Sequence, residues 1–143
     1  MLVDWKTPMK EIKVGTGRKL KDGKDIAVLT FGHPGNFAAA AIRDVKQEGI
    51  NPAHYDMRFV KPLDERLLHT IFKTYDTVVT VEDHTIKGGF GSAILEFASE
   101  NNYKNTIKTL GIPDFFIEHG SVNELEESLG LDAKSLMTIF DKY

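Results

Sequence analysis

Strand-like runs alternate with helix-like periods four times along this chain, and that order constrains the fold more than any other feature. Asp25-Ile26-Ala27-Val28-Leu29-Thr30-Phe31 is an apolar run rich in strand formers that ends at the loop Gly32-His33-Pro34-Gly35. Asn36 is placed to cap a helix through Ala38, Ala41, Ile42 and Val45, stopped at Gly49. Ile50 to Phe59 holds the next strand, with Tyr55, Met57 and Phe59 on one side of an alternating pattern. Lys61-Pro62-Leu63-Asp64 opens a second helix, in which Leu67, Leu68, Ile71 and Phe72 recur at helical spacing. Asp76 to Val81 is a β-branched run that predicts a buried strand. Gly88-Gly89-Phe90-Gly91-Ser92 leads into a third helix with Ile94, Leu95 and Phe97, and Thr106 to Leu110 predicts the last strand. The tail from Ser121 reads as two short helices split at Gly130.

Parallel strands joined by right-handed helical crossovers satisfy this order. The expected fold is a three-layer α/β/α sandwich on a mostly parallel sheet. At 143 residues the chain is one domain, 1–143, large enough for a core without staples. Residues 1–22 read as a peripheral segment, in which only Glu11 to Val14 suggests an extra edge strand.

Composition closes several routes to function. Cysteine is absent, so there is no disulfide, no thiol nucleophile and no Cys-based zinc site; this suits a reducing, cytoplasmic setting. A net charge of −3 argues against a nucleic-acid binder, which would carry a basic excess. No apolar run approaches the ~18 residues of a membrane span. The five histidines are scattered, without metal-ligand spacing, and no Gly-x-Ser-x-Gly elbow or acidic phosphoacceptor cluster is present.

Open α/β sheets bind ligands beyond the carboxyl ends of their strands. Four loops are expected there. They carry His33; Arg58 and Lys61; Glu82, Asp83 and His84; and Pro113, Asp114 and Glu118. Glu82-Asp83-His84 has the residue types of a metal or catalytic cluster, but neighbours on a strand point to opposite faces. Glu82 is therefore expected to be a structural or interface hydrogen-bond partner, for Arg58 on a neighbouring strand end. The glycines of Gly88-Gly89-Phe90-Gly91-Ser92 admit two readings. They could let backbone N–H groups cradle an anion at the helix start. They could equally form a tight turn that packs the helix closely on the sheet, and this is the weightier reading because the motif matches neither nucleotide fingerprint. His119 reads as solvated and Ser92 as a cap. His33, Arg58, Lys61, Glu82, Asp83, Gly89 and Gly91 are thus candidate crest or interface residues. No residue is assigned to catalysis, cofactor or metal.

Longer motifs carry a resemblance. Arg58-Phe59-Val60-Lys61-Pro62-Leu63-Asp64 resembles a segment shared by C-terminal domains of the transketolase superfamily. Thr80-Val81-Glu82-Asp83, then Gly88 to Ala93, then Glu96-Phe97, resembles the next block. Leu110 to Asp114, Phe116 to Gly120 and Gly130-Leu131-Asp132 are similar to the 1-deoxy-D-xylulose-5-phosphate synthase family within it. The resemblance runs from about Pro8 to the C-terminus. It implies a mixed sheet with one antiparallel edge strand. It further implies a parent enzyme that condenses pyruvate with glyceraldehyde 3-phosphate, releasing carbon dioxide, on the way to isoprenoids, thiamine and pyridoxal. Thiamine diphosphate and magnesium would be held by two preceding domains of the same chain, in a homodimer, with no cofactor in the present residues. The chain is expected to be an inactive piece of that enzyme, serving structure and the dimer interface. Alternatives are a stand-alone flavodoxin-like anion or nucleotide module, a regulatory domain, or the C-terminal domain of another thiamine-diphosphate enzyme.

Overall fold

The computed structural model describes residues 8–46 and 49–143. The first seven residues of the expected peripheral segment therefore lie outside the described residues. Five strands form one sheet: β1 (Arg18–Lys21), β2 (Ala27–Phe31), β3 (Ala53–Asp56), β4 (Thr77–Thr85) and β5 (Thr106–Ile112). Their order is β1-β3-β2-β4-β5. β3, β2, β4 and β5 run parallel, and β1 pairs antiparallel with β3. This is the mixed sheet with one antiparallel edge strand that the resemblance implied.

Side chains alternate across the sheet and build two cores. On one face, Ala27, Leu29, Ala53, Tyr55, Met57 and Val78 meet α2 (Glu65–Thr74) and α3 (Phe90–Glu100) through Leu68, Ile71, Phe72, Ile94 and Phe97. On the other, Ile26, Val28, Val79 and Val81 meet α1 (Gly35–Val45) and α5 (Ala133–Phe140) through Ala38, Ala41, Ile42, Leu136 and Phe140. A short α4 (Val122–Ser128) precedes α5 and is closed by a Ser121–Glu124 capping box. The three-layer sandwich is thus as expected, with the tail split into two helices.

Two local expectations change. The edge strand is Arg18–Lys21, not Glu11–Val14, which is largely exposed and unpaired to the sheet. β1 is held by polar groups rather than by an apolar face: Arg18 Nε bonds Asp56 Oδ2 at 3.0 Å, and Lys21 Nζ donates to Asn51 Oδ1 and Pro52 O at 2.7 Å each. A run of that kind leaves no hydrophobic signature. The second change is at α1, which starts two residues early, at Gly35, with Pro34 rather than Asn36 as its cap and no side-chain cap bond.

Candidate functional site

The crest at the carboxyl end of the sheet centres on Glu82. Val78, Thr80 and Glu82 share one face of β4 by the two-residue period, and that face looks at the start of α3. Glu82 is completely buried. Its Oε2 accepts from Phe90 N–H at 2.7 Å and its Oε1 from Gly91 N–H at 2.8 Å. These are orphan donors of a helix whose cap, Gly89, has no side chain to offer. A carboxylate at a helix N-terminus is also favoured by the dipole.

The glycines make room for this side chain. A Cβ on Gly89 would overlap Thr85 O and Glu82 Oε2. A Cβ on Gly91 would sit 2.8 Å from Thr109 Cγ2, and one on Gly111 would sit 2.8 Å from Glu82 Cγ. Ser92 completes the turn, donating to Ile86 O at 2.8 Å and accepting from Gly88 N–H at 2.9 Å. The packing reading of Gly89 and Gly91 therefore holds. The N–H groups that the anion-cradle reading required are bound to an internal side chain.

The expected pairing of Glu82 with Arg58 is corrected. β3 and β4 are separated by β2, so Arg58 stands beyond β3 two strands away from Glu82. Arg58 turns instead to Asp56: its N–H donates to Asp56 Oδ1 at 3.2 Å, and its Nε lies 3.8 Å from Asp56 Oδ2. The backbone of Arg58 is left-handed, at φ 57°, an unusual state for a residue with a side chain. Arg18 reaches the same carboxylate from β1. These three residues, with Thr30, Gly32 and Asn36, line a crevice of about 450 Å³ at the ends of β2 and β3.

The remaining candidates do not converge. His33 is exposed and packs edge-on against Phe37. Lys61 is exposed before Pro62. Asp83 and His84 are exposed on the β4 extension, and Asp83 lies over Gly32. His119 is exposed as well. Among the described residues, no three His, Asp or Glu side chains come together in a metal-binding group. No helix among them is long and apolar enough to cross a membrane.

Sequence reading missed Arg18, Asp56 and the capping role of Glu82. The last was recoverable. The period of two puts Glu82 under α3, and α3 lacks a Ser, Thr, Asp or Asn cap of its own.

A mixed sheet in this order, with a β4 glutamate plugging the glycine-rich start of α3, defines the class of α/β domain to which the chain belongs. The chain belongs to the family described as transketolase, C-terminal domain, which matches residues 15–136. Its relatives narrow the placement, as the motif blocks implied. The chain is 56% identical over 137 residues to a 1-deoxy-D-xylulose-5-phosphate synthase of Bacteroides thetaiotaomicron, covering 95% of this chain and 21% of that protein. It is 55% identical to the synthase of Phocaeicola vulgatus, covering 96% and 22%. It thus spans about a fifth of the length of these curated relatives. A solved structure titled as a split-gene transketolase, inactive beta4 tetramer, superposes with a TM-score of 0.85 at 33% identity, covering 93% of this chain and 43% of that one. Campylobacter jejuni transketolase, at 18% identity and a TM-score of 0.65, shares the fold.

Proposed function

We propose that this chain is the C-terminal domain of a 1-deoxy-D-xylulose-5-phosphate synthase and that its work there is structural. The parent enzyme would condense pyruvate with glyceraldehyde 3-phosphate and release carbon dioxide, feeding isoprenoid precursor, thiamine and pyridoxal synthesis. The domain buttresses the catalytic domains that precede it and extends the interface of a homodimer. The observation that carries this reading is the identity to synthases over nearly the whole chain.

Thiamine diphosphate supplies the carbanion chemistry of such an enzyme when bound. The present residues do not fit it. A diphosphate with its magnesium needs a cluster of acidic or amide oxygens and free backbone N–H groups. Glu82 takes the N–H groups at the start of α3, and acidic side chains are not gathered in threes among the described residues. The proposal therefore leaves the binding of thiamine diphosphate and magnesium to the domains that would precede this one.

Two measurements test the proposal. This chain is exchanged for the matching segment of the Bacteroides thetaiotaomicron synthase, and product formation is followed. Retained activity is expected; a folded but inactive chimera would refute the assignment. The isolated chain is also titrated calorimetrically with thiamine diphosphate, magnesium and glyceraldehyde 3-phosphate. No saturable heat is expected, and clear binding would overturn the structural role.

A further inference from the structure

We propose that the carboxyl end of the sheet, anchored by Phe115 and Phe116, is the surface that docks onto the domain preceding this one in the same polypeptide. The inference rests on the reading of the chain as the C-terminal domain of a synthase and adds the place of contact.

Phe116 is fully exposed and Phe115 is 63% exposed. They follow β5 after Pro113 and Asp114, and the loop is braced by an ion pair between Lys87 Nζ and Asp114 Oδ2 at 2.9 Å. Beside the two rings lies a hollow of about 410 Å³, lined also by Thr85, Ile112 and Pro113. The Thr85 hydroxyl oxygen is buried and has no hydrogen-bond partner among the described residues. An exposed pair of phenyl rings next to an apolar hollow is the form of a docking anchor, not of a solvated loop. The orphan hydroxyl adds one polar contact for an incoming backbone or side chain.

The second anchor identifies the occupant. The polypeptide arrives at the same end of the sheet, because Gly15 lies against Pro62 and Arg18 pairs with Asp56, the last residue of β3. Along this stretch Met9, Ile12 and Val14 are exposed. The two apolar anchors thus stand on opposite edges of a five-stranded sheet, four strand spacings or roughly 19 Å apart. His33, Arg58 and Asp83 form a polar strip between them. That footprint suits a domain, not a peptide. The curated relatives carry about four-fifths of their length outside the matched segment. A domain joined to this one through residues 8–17 is held over the crest at high effective concentration. A second copy seated there would have to share the face with that tether.

The test uses the active chimera with the Bacteroides thetaiotaomicron synthase. Phe115→Ser and Phe116→Ser are introduced together, with Leu95→Ser on α3, 44% exposed in this domain, as the control. Amide exchange at residues 114–117 is expected to be slowed about tenfold or more in the chimera relative to the isolated chain. The double variant should melt in two steps where the parent chimera melts in one, while the isolated chain with the same changes keeps its melting temperature. Leu95→Ser should leave the single transition intact. An active chimera with unprotected amides and an unchanged single transition in the double variant would overturn the docking surface while leaving the domain assignment standing. An isolated chain that dimerises in the ultracentrifuge through Phe115 and Phe116, with no protection in the chimera, would also overturn it in favour of a second copy. A chimera inactive before any Phe change would remove the reading on which the inference rests.

Discussion

Glu82 looks like a catalytic residue in the sequence and acts as a cap in the structure. Its carboxyl group accepts two backbone N–H bonds in a place with no water access. Removing it leaves both donors buried and unsatisfied, at roughly 1–3 kcal/mol each, and opens a void where the side chain stood. Glu82→Ala is therefore expected to lower unfolding stability by about 3–5 kcal/mol in urea titration. Glu82→Gln keeps the shape and one acceptor but sets an amide NH₂ against an N–H. It should lose less than the alanine variant, with the exchange of the Phe90 or Gly91 amide speeded selectively. Equal losses in the two variants would show that volume, not hydrogen bonding, is what Glu82 contributes. Gly89→Ala belongs to the same argument. Its new methyl would collide with backbone at Thr85 as well as with Glu82, so the turn has to shift to admit it.

At the scale of elements, Asp64 joins two pieces that are far apart in sequence. Its Oδ1 caps α2 by accepting from Leu67 N–H at 3.0 Å, and its Oδ2 accepts from Gly17 N–H at 2.9 Å, just before β1. Asp64→Ala should cost about 1–3 kcal/mol, combining a lost cap with a lost cross-link. Amide exchange across Arg18–Lys21 should accelerate more than exchange in β2 or β4. Uniform acceleration would mean that β1 is not a separate unit. β1 also marks where sequence reading stops. β2, β3, β4, β5 and the helices α1, α2, α3 and α5 announce themselves by apolar period, because each packs a face against a partner layer, whereas α4 buries no residue. Arg18-Lys19-Leu20-Lys21 buries almost nothing and is held by backbone pairing, an ion pair to Asp56 and a hydrogen bond to Asn51. Neither contact has a local pattern. The crevice between Arg18, Asp56 and Arg58 was invisible for the same reason, since its walls come from an edge strand the pattern does not show. The Glu82 cap was half legible. Its face followed from alternation, but its partner was assigned to the wrong strand because sheet order is not written in element order.

At the scale of the whole molecule, one buried titratable group should set the acid limb of stability. His54 is 2% exposed in β3, on the face toward α1. Thr30 Oγ1 lies 3.0 Å from its Nε2 and itself donates to Tyr55 O at 3.3 Å, so the neutral ring donates through Nε2 to the hydroxyl. Burial is the chief cause that brings its pKa down from 6.5 to about 4; Asp56 opposes the change, and Lys21 and Arg18 add to it. The folded chain therefore binds fewer protons than the unfolded one between these two values. His54 imposes no penalty above pH 6.5. Stability then falls as pH drops through the window and the loss is complete below about 4, for a total of roughly 3 kcal/mol. Because β3 lies inside the sheet and contacts both cores, this local cost should appear in global unfolding rather than in fraying of an edge. His54→Gln keeps a donor for Thr30 and cannot gain a proton. The difference in urea-unfolding free energy between the parent and this variant, measured from pH 7.5 to 4, should change by about 3 kcal/mol in favour of the variant as pH falls. Carboxylates elsewhere titrate alike in both proteins and cancel. A pH-independent difference would mean that His54 gains its proton without leaving the fold, and that acid sensitivity has another source.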